Sequence, residues 1–121
     1  MQSAAQAYKN VARQSSNPRE LEATLLLQAA AKLQSVHDSW SENSGQLDEA
    51  LLYNRKLWLV FLSEMTDGKN PMPRAVRQNV ANIGLFVMNH TVKVMADPGP
   101  QHLGALISIN REIAAGLLGR A

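Results

Sequence analysis

The five prolines of this 121-residue chain fall in three short breaks, and the apolar residues between the breaks recur every three or four positions. Proline has no N–H to give to a helix interior. Ser15-Ser16-Asn17-Pro18, Asn70-Pro71-Met72-Pro73 and Asp97-Pro98-Gly99-Pro100 therefore each end one helix and start another. No long stretch alternates at two, the period of a half-buried strand. Helices joined by short connections lie antiparallel to their neighbours. The expected fold is all-α: a compact helical bundle of four long helices plus a short N-terminal helix, forming one domain over 1–121.

The short helix is expected at about Gln2 to Arg13, with Ala4, Tyr8 and Val11 on one face. Three apolar residues make a weak stripe, so its docking is expected to depend on a partner or on crystal neighbours. Asn17 suits an N-cap, Pro18 the first helical position, and Glu20 the return contact of a capping box. The helix they open is placed at about 18–40, with Leu26, Ala29, Leu33, Val36 and Trp40 inward. Ser41 to Gln46 is polar, contains Gly45, and is expected to be a loop. The next helix covers Leu47 to Thr66, with Gly68 as its left-handed C-cap. A further helix runs from Pro73 or Arg74 to about Ala96. Its stripe is Val76, Val80, Ile83, Val87, His90 and Val94, interrupted by Gly84, an interior glycine costing about 1 kcal/mol. The last covers about Gln101 to Leu118, with Leu103, Leu106, Ile107, Ile113 and Leu117 inward.

Composition excludes several chemistries. With no cysteine there are no disulfides, thiolate metal sites or cysteine nucleophiles. A net charge of +2 is spread along the chain and lacks the clustered stripe that phosphate backbones require. No two of His37, His90 and His102 are three or four residues apart, so no helical metal pair exists. His37 and Asp38 are merely adjacent and are expected to point apart. The carboxylates Glu20, Glu22, Asp48 and Glu49 sit in first turns, where the helix dipole accounts for them. No phosphate-cradling glycine loop or nucleophile elbow is present. The expectation is a protein that is not an enzyme, has no cofactor, does not insert in a membrane, lacks a secretory signal and works in the cytoplasm.

Polar residues inside apolar stripes stand out instead. Leu47, Leu51, Asn54, Trp58, Phe61 and Met65 step by four and three, which puts Asn54 on the buried line. Asn110 holds the same place among Leu103, Leu106, Ile113 and Leu117. A buried asparagine must satisfy its amide or lose about 1–3 kcal/mol per unmade bond. It either pins a neighbouring helix or borders a groove that a partner fills. Trp58 reads as core, whereas Tyr53 and Arg55 lie off the main line as exposed contacts. Asn54-Arg55 and Asn110-Arg111 repeat one arrangement, an inward Asn followed by an Arg about 100° around the helix. Tyr53, Asn54, Arg55, Trp58, Asn110 and Arg111 are the candidate partner-binding residues, on a groove among the 47–66, 74–96 and 101–118 helices. Leu52 and Leu59, opposite the main line of their helix, permit a weak dimer as an alternative to a monomer.

The run Asp48-Glu49-Ala50-Leu51-Leu52-Tyr53-Asn54-Arg55-Lys56-Leu57-Trp58, followed by Phe61-Leu62, resembles the FlaF family of alphaproteobacterial flagellar biosynthesis regulators. Asn70-Pro71-Met72-Pro73 with Val76-Arg77-Gln78-Asn79 is similar to that family's proline loop and "LRxN" helix, with Val76 in place of Leu. Leu106 through Leu117 resembles its terminal "INRxIxxGL" block, and Ala4 to Tyr8 and Asn17 to Glu22 also agree. The resemblance implies a role in flagellum assembly, promoting flagellin synthesis or secretion, with no cofactor and no catalytic residue. The expected partner is flagellin, held as by a chaperone-like adaptor, since bundles take amphipathic helices in grooves. The alternative is a post-transcriptional regulator acting with FlbT on flagellin mRNA. Direct nucleic-acid contact is disfavoured, because aromatics make up only 5% of the chain. A third possibility is a scaffold whose Asn-Arg pairs only fix helix register.

Overall fold

The computed structural model describes Ala4 and residues 18–119. Among these the secondary structure is helical throughout, with α1 at Pro18–Asp38, a single turn α2 at Trp40–Asn43, α3 at Leu47–Thr66, α4 at Arg74–Ala96 and α5 at Leu103–Leu117. The all-α expectation and its four long helices hold. Of the expected N-terminal helix only Ala4 is described, helical and buried in the core; the cap expected at Asn17 lies outside the described residues. α1 packs mainly on α5 and also on α3, while α4 has α3 as its main neighbour. α4 is thus the outermost of the long helices.

The core follows the stripes on α1, α3 and α5. Leu25, Leu26, Ala29, Leu33 and Val36 meet Leu51, Leu57, Trp58 and Phe61 from α3 and Leu103, Leu106 and Ala114 from α5. α4 departs from its expected stripe. Only Gly84, Val87, Thr91 and Val94 of its residues are buried, Val76 is exposed, and Ile83 and His90 are half-buried. The buried line is rotated toward Gly84 and Thr91 because α4 must lie close against α3. Thr91 needs no outside partner, since its hydroxyl donates to the Val87 carbonyl one turn back, 2.7 Å away.

That close approach needs a glycine. A Cβ on Gly84 would stand 2.7 Å from Leu62 Cδ2 and 3.2 Å from Trp58 Cε3. The interior glycine is therefore an inter-helix contact. Gly84→Val is expected to destabilise the chain by about 2–3 kcal/mol, since overpacking beside a buried tryptophan leaves little room to relax. Urea unfolding measures this, and a Gly84→Val chain as stable as the parent would refute the tight α3–α4 contact.

Three local expectations are corrected. Ser41–Gln46 is no open loop: the turn α2 runs into a 3₁₀ turn at Ser44–Gln46, starting with Asn43 N–H donating to the Ser39 carbonyl at 2.7 Å. No proline falls there to prevent it. The last helix likewise begins with a 3₁₀ turn at Pro100–His102. Gly68 is not a left-handed cap, because the only positive-φ residue among those described is Gly119. α3 ends through side chains instead. Asp67 Oδ1 accepts the Lys69 N–H at 2.9 Å, Asn70 Nδ2 donates to the Glu64 carbonyl at 3.0 Å, and Asn70 Oδ1 accepts the Met72 N–H at 2.9 Å. Arg77 completes the stop: Nε donates to the Met72 carbonyl at 3.1 Å, and Nη1 to those of Met65 at 3.3 Å and Asp67 at 3.2 Å. The arginine of the "LRxN" segment is thus a clamp on the proline loop, satisfying carbonyls that the helix end would otherwise leave bare.

Candidate functional site

Four of the six candidate residues are buried. Trp58, Asn54 and Asn110 have no exposed surface, and Tyr53 retains 8%. Their geometry follows from one donor. The Trp58 indole can only donate, and its Nε1 lies 3.0 Å from Asn110 Oδ1. That fixes the orientation of the Asn110 amide, whose Nδ2 donates to Asn54 Oδ1 at 2.7 Å and to the Leu26 carbonyl at 3.3 Å. Asn54 must then present its oxygen, which leaves its Nδ2 without a hydrogen-bond partner. Side chains from α3 and α5 and a carbonyl from α1 therefore meet at one buried point. The asparagines of the two repeated Asn-Arg pairs are joined to each other, and they tie helices together instead of bordering an open groove.

Tyr53 corrects the expectation of an exposed contact. It faces α1, where its hydroxyl reaches Gln28 Oε1 at 3.5 Å and the Lys32 ammonium stands 5.0 Å from its ring centre. Burial raises the pKa of its hydroxyl. The two arginines are exposed but do not share a surface. Arg111 Nη2 donates to Gln34 Oε1 on α1 at 3.2 Å. Arg55 lies seven residues before Leu62, two turns along the same line of α3, and Leu62 is the side chain that meets Gly84 of α4. Arg55 therefore belongs to the α3–α4 side of the molecule, and Arg111 to the α1–α5 side.

His37 and Asp38 also differ from expectation. Their side chains meet, with Nδ1 2.9 Å from Oδ1, because Asp38 is the last residue of α1 and Ser39 has left helical geometry. Hydrogen bonds from His37 and Gln34 hold the exposed Asp38 carboxyl below its ordinary pKa. His90 Nε2 lies 2.8 Å from the His102 carbonyl, which makes it the donor there and ties α4 to the turn before α5. No group of three or more metal-ligating side chains occurs among the described residues, nor is any helix there long and apolar enough to cross a membrane.

Glu22 is the buried carboxyl that the helix-dipole reading missed. It lies four residues before Leu26 on the Leu26–Ala29–Leu33–Val36 line, so spacing alone marks it as inward. It borders an apolar slot with Trp58, Phe61, Val80 and Ile113. Burial, then a hydrogen bond with Glu64 and the charge of that carboxyl, push its pKa up to about 8; Arg19 pulls it back. The folded chain thus holds a proton there that the unfolded chain releases near 4.5. Stability from this proton is complete below pH 4.5 and is lost as pH rises through 8. Glu22→Gln is expected to flatten the fall in melting temperature between pH 5 and 9, and a fall as steep as the parent's would contradict the assignment.

The large apolar side chains that are exposed are unevenly placed. Among the described residues, Leu52, Leu59, Val76, Leu85, Phe86, Val92 and Met95 lie on α3 or α4, and only Leu27 lies elsewhere. The face of the bundle with unsatisfied apolar surface is therefore the outer hairpin. No curated protein matches the chain, and no solved structure does. The profile of the FlaF family, described as flagellar protein FlaF, matches residues 4–117. A match over nearly the whole chain, including both Asn-Arg segments and the proline loop, places this chain in the FlaF family of flagellar proteins.

Proposed function

We propose that the chain serves flagellum assembly by binding flagellin as a chaperone-like, non-catalytic adaptor in the cytoplasm, promoting flagellin synthesis or secretion. One observation carries this reading: among the described residues, all the exposed large apolar side chains except Leu27 gather on α3 and α4. Contiguous apolar surface on a soluble protein marks an interaction site. Helical scaffolds take amphipathic helices on such faces, and flagellins have long helical ends of that kind. The role of the Asn54–Trp58–Asn110 cluster in this scheme is to hold α1, α3 and α5 in register. Contact with the partner falls to exposed residues, Arg55 among them.

In cells lacking the chain, an adaptor predicts flagellin mRNA of ordinary abundance and half-life, with flagellin protein lost from the medium. A shortened mRNA half-life of matching size would favour the regulator acting with FlbT and defeat the adaptor.

A further inference from the structure

We propose that the outer face of the α3–α4 hairpin is a docking groove for an amphipathic helix whose flanks carry carboxylates, an inference that rests on the adaptor reading. The shape of this face suits a helix. Between the end of α3 and the start of α4 runs an open groove of about 410 Å³. Leu62, Met65, Ala81 and Leu85 form its apolar part, and Arg74 and Arg77 stand at its basic end. Gly84 draws the two helices together beneath it. Beyond the groove the apolar strip continues along α4 to the exposed Val92 and Met95, by way of Met88, which is half-buried and also packs against the core. From Ala81 these residues step by four, three, four and three, the spacing by which one helix seats another. Leu85 is 57% and Val92 61% exposed, so this seam is separate from the buried Gly84–Val87–Thr91–Val94 line beside it.

The charge of this face selects the partner's flanks. No carboxylate occurs between Asp67 and Asp97, a stretch that carries Lys69, Arg74, Arg77 and Lys93. Arg55 adds a cation on the adjoining line of α3. Among the described residues Arg55, Arg74 and Lys93 have no ion-pair partner. Arg77 is held in place by the three carbonyls it caps, so its charge is fixed in position before any partner arrives. An apolar seam flanked by cations selects a helix with an apolar face and acidic flanks. A second copy of α4 would set cations against cations. A lipid surface recognised by charge takes its lysines and arginines as one dense cluster; here they are spread along two helices and the loop between them.

The test uses the whole chain and monomeric flagellin as the probe, with four proteins: the parent, Leu85→Glu, Arg74→Glu and, as a control on α1, Leu27→Glu. All the altered side chains are exposed, and melting curves confirm that each variant folds. The expected result is that Leu85→Glu and Arg74→Glu bind more than tenfold more weakly, Leu27→Glu binds as the parent does, and parent affinity falls with added salt. If the parent binds flagellin and both groove variants bind it equally well, the groove is wrong while the adaptor reading stands. If the parent does not bind flagellin, both fall. A parent dimer that Leu85→Glu dissociates would assign the face to a second copy. Leu85-dependent binding to phosphatidylserine vesicles without flagellin binding would assign it to a membrane. Either of these results overturns the proposal.

Discussion

Asn110→Leu is expected to lower the melting temperature by about 10–20 °C, although leucine keeps the branched shape of the amide. The change strands two groups inside the protein: the Trp58 N–H loses its acceptor and the Asn54 oxygen loses its donor. Each unmade buried bond costs about 1–3 kcal/mol, and 1 kcal/mol shifts the melting temperature of a domain this size by about 4 °C. Asn54→Leu is expected to cost clearly less. It removes an amide nitrogen that is already unpartnered and leaves Asn110 its bonds to Trp58 and to the Leu26 carbonyl. The order of the two variants tests the amide orientations directly. Equal losses, or a larger loss from Asn54→Leu, would mean that the chain of donors runs differently.

The second large effect concerns Trp58. Trp58→Ala is expected to cost about 3–5 kcal/mol from the cavity alone, a large part of the roughly 5–15 kcal/mol that holds a domain together. The indole has no exposed surface, meets Phe61 edge-on at 5.7 Å between ring centres, and lies against Gly84. Its loss also leaves Asn110 Oδ1 without a donor. Trp58→Phe separates the two contributions, because it keeps most of the bulk and removes the N–H. Urea titration is expected to place it between parent and Trp58→Ala. A Trp58→Phe chain as stable as the parent would show that the indole bond contributes nothing.

Periodicity located most of the fold because burial and spacing agree on α1, α3 and α5. Leu47–Thr66 and the start of α4 at Arg74 fall where the stripes and prolines put them. On α4 spacing placed Val87 and Val94 in the core, with Val80 and Ile83 packed against it, but missed Gly84 and Thr91, for a physical reason. That helix has one principal neighbour and apolar residues nearly all round, so its pattern cannot say which line faces inward. Gly84 and Thr91 are inward because α3 lies close, a fact of packing and not of sequence period. The turns failed for a related reason. Gly68 is a plausible left-handed cap by type, yet Asp67, Asn70 and Arg77 satisfy the helix end by hydrogen bonds that no short pattern announces.

At the candidate site, Asn54 and Asn110 were legible as inward polar residues, and the structure shows each to be the other's partner. Tyr53 was misread because α1 passes beside a face of α3 that its own stripe leaves aside. Glu22 carried a visible signal, its place four residues before Leu26, which its position in a first turn obscured. Arg77 was legible only through the family resemblance. The outer α4 seam needs the neighbours of α4 to be known before its exposure means anything.

The adaptor claim is tested most directly by calorimetric titration of the purified chain with monomeric flagellin and with flagellin lacking its terminal helices. Saturable binding to the intact form and none to the truncated one is the expected result. No heat with intact flagellin, together with no complex on size exclusion, would contradict it.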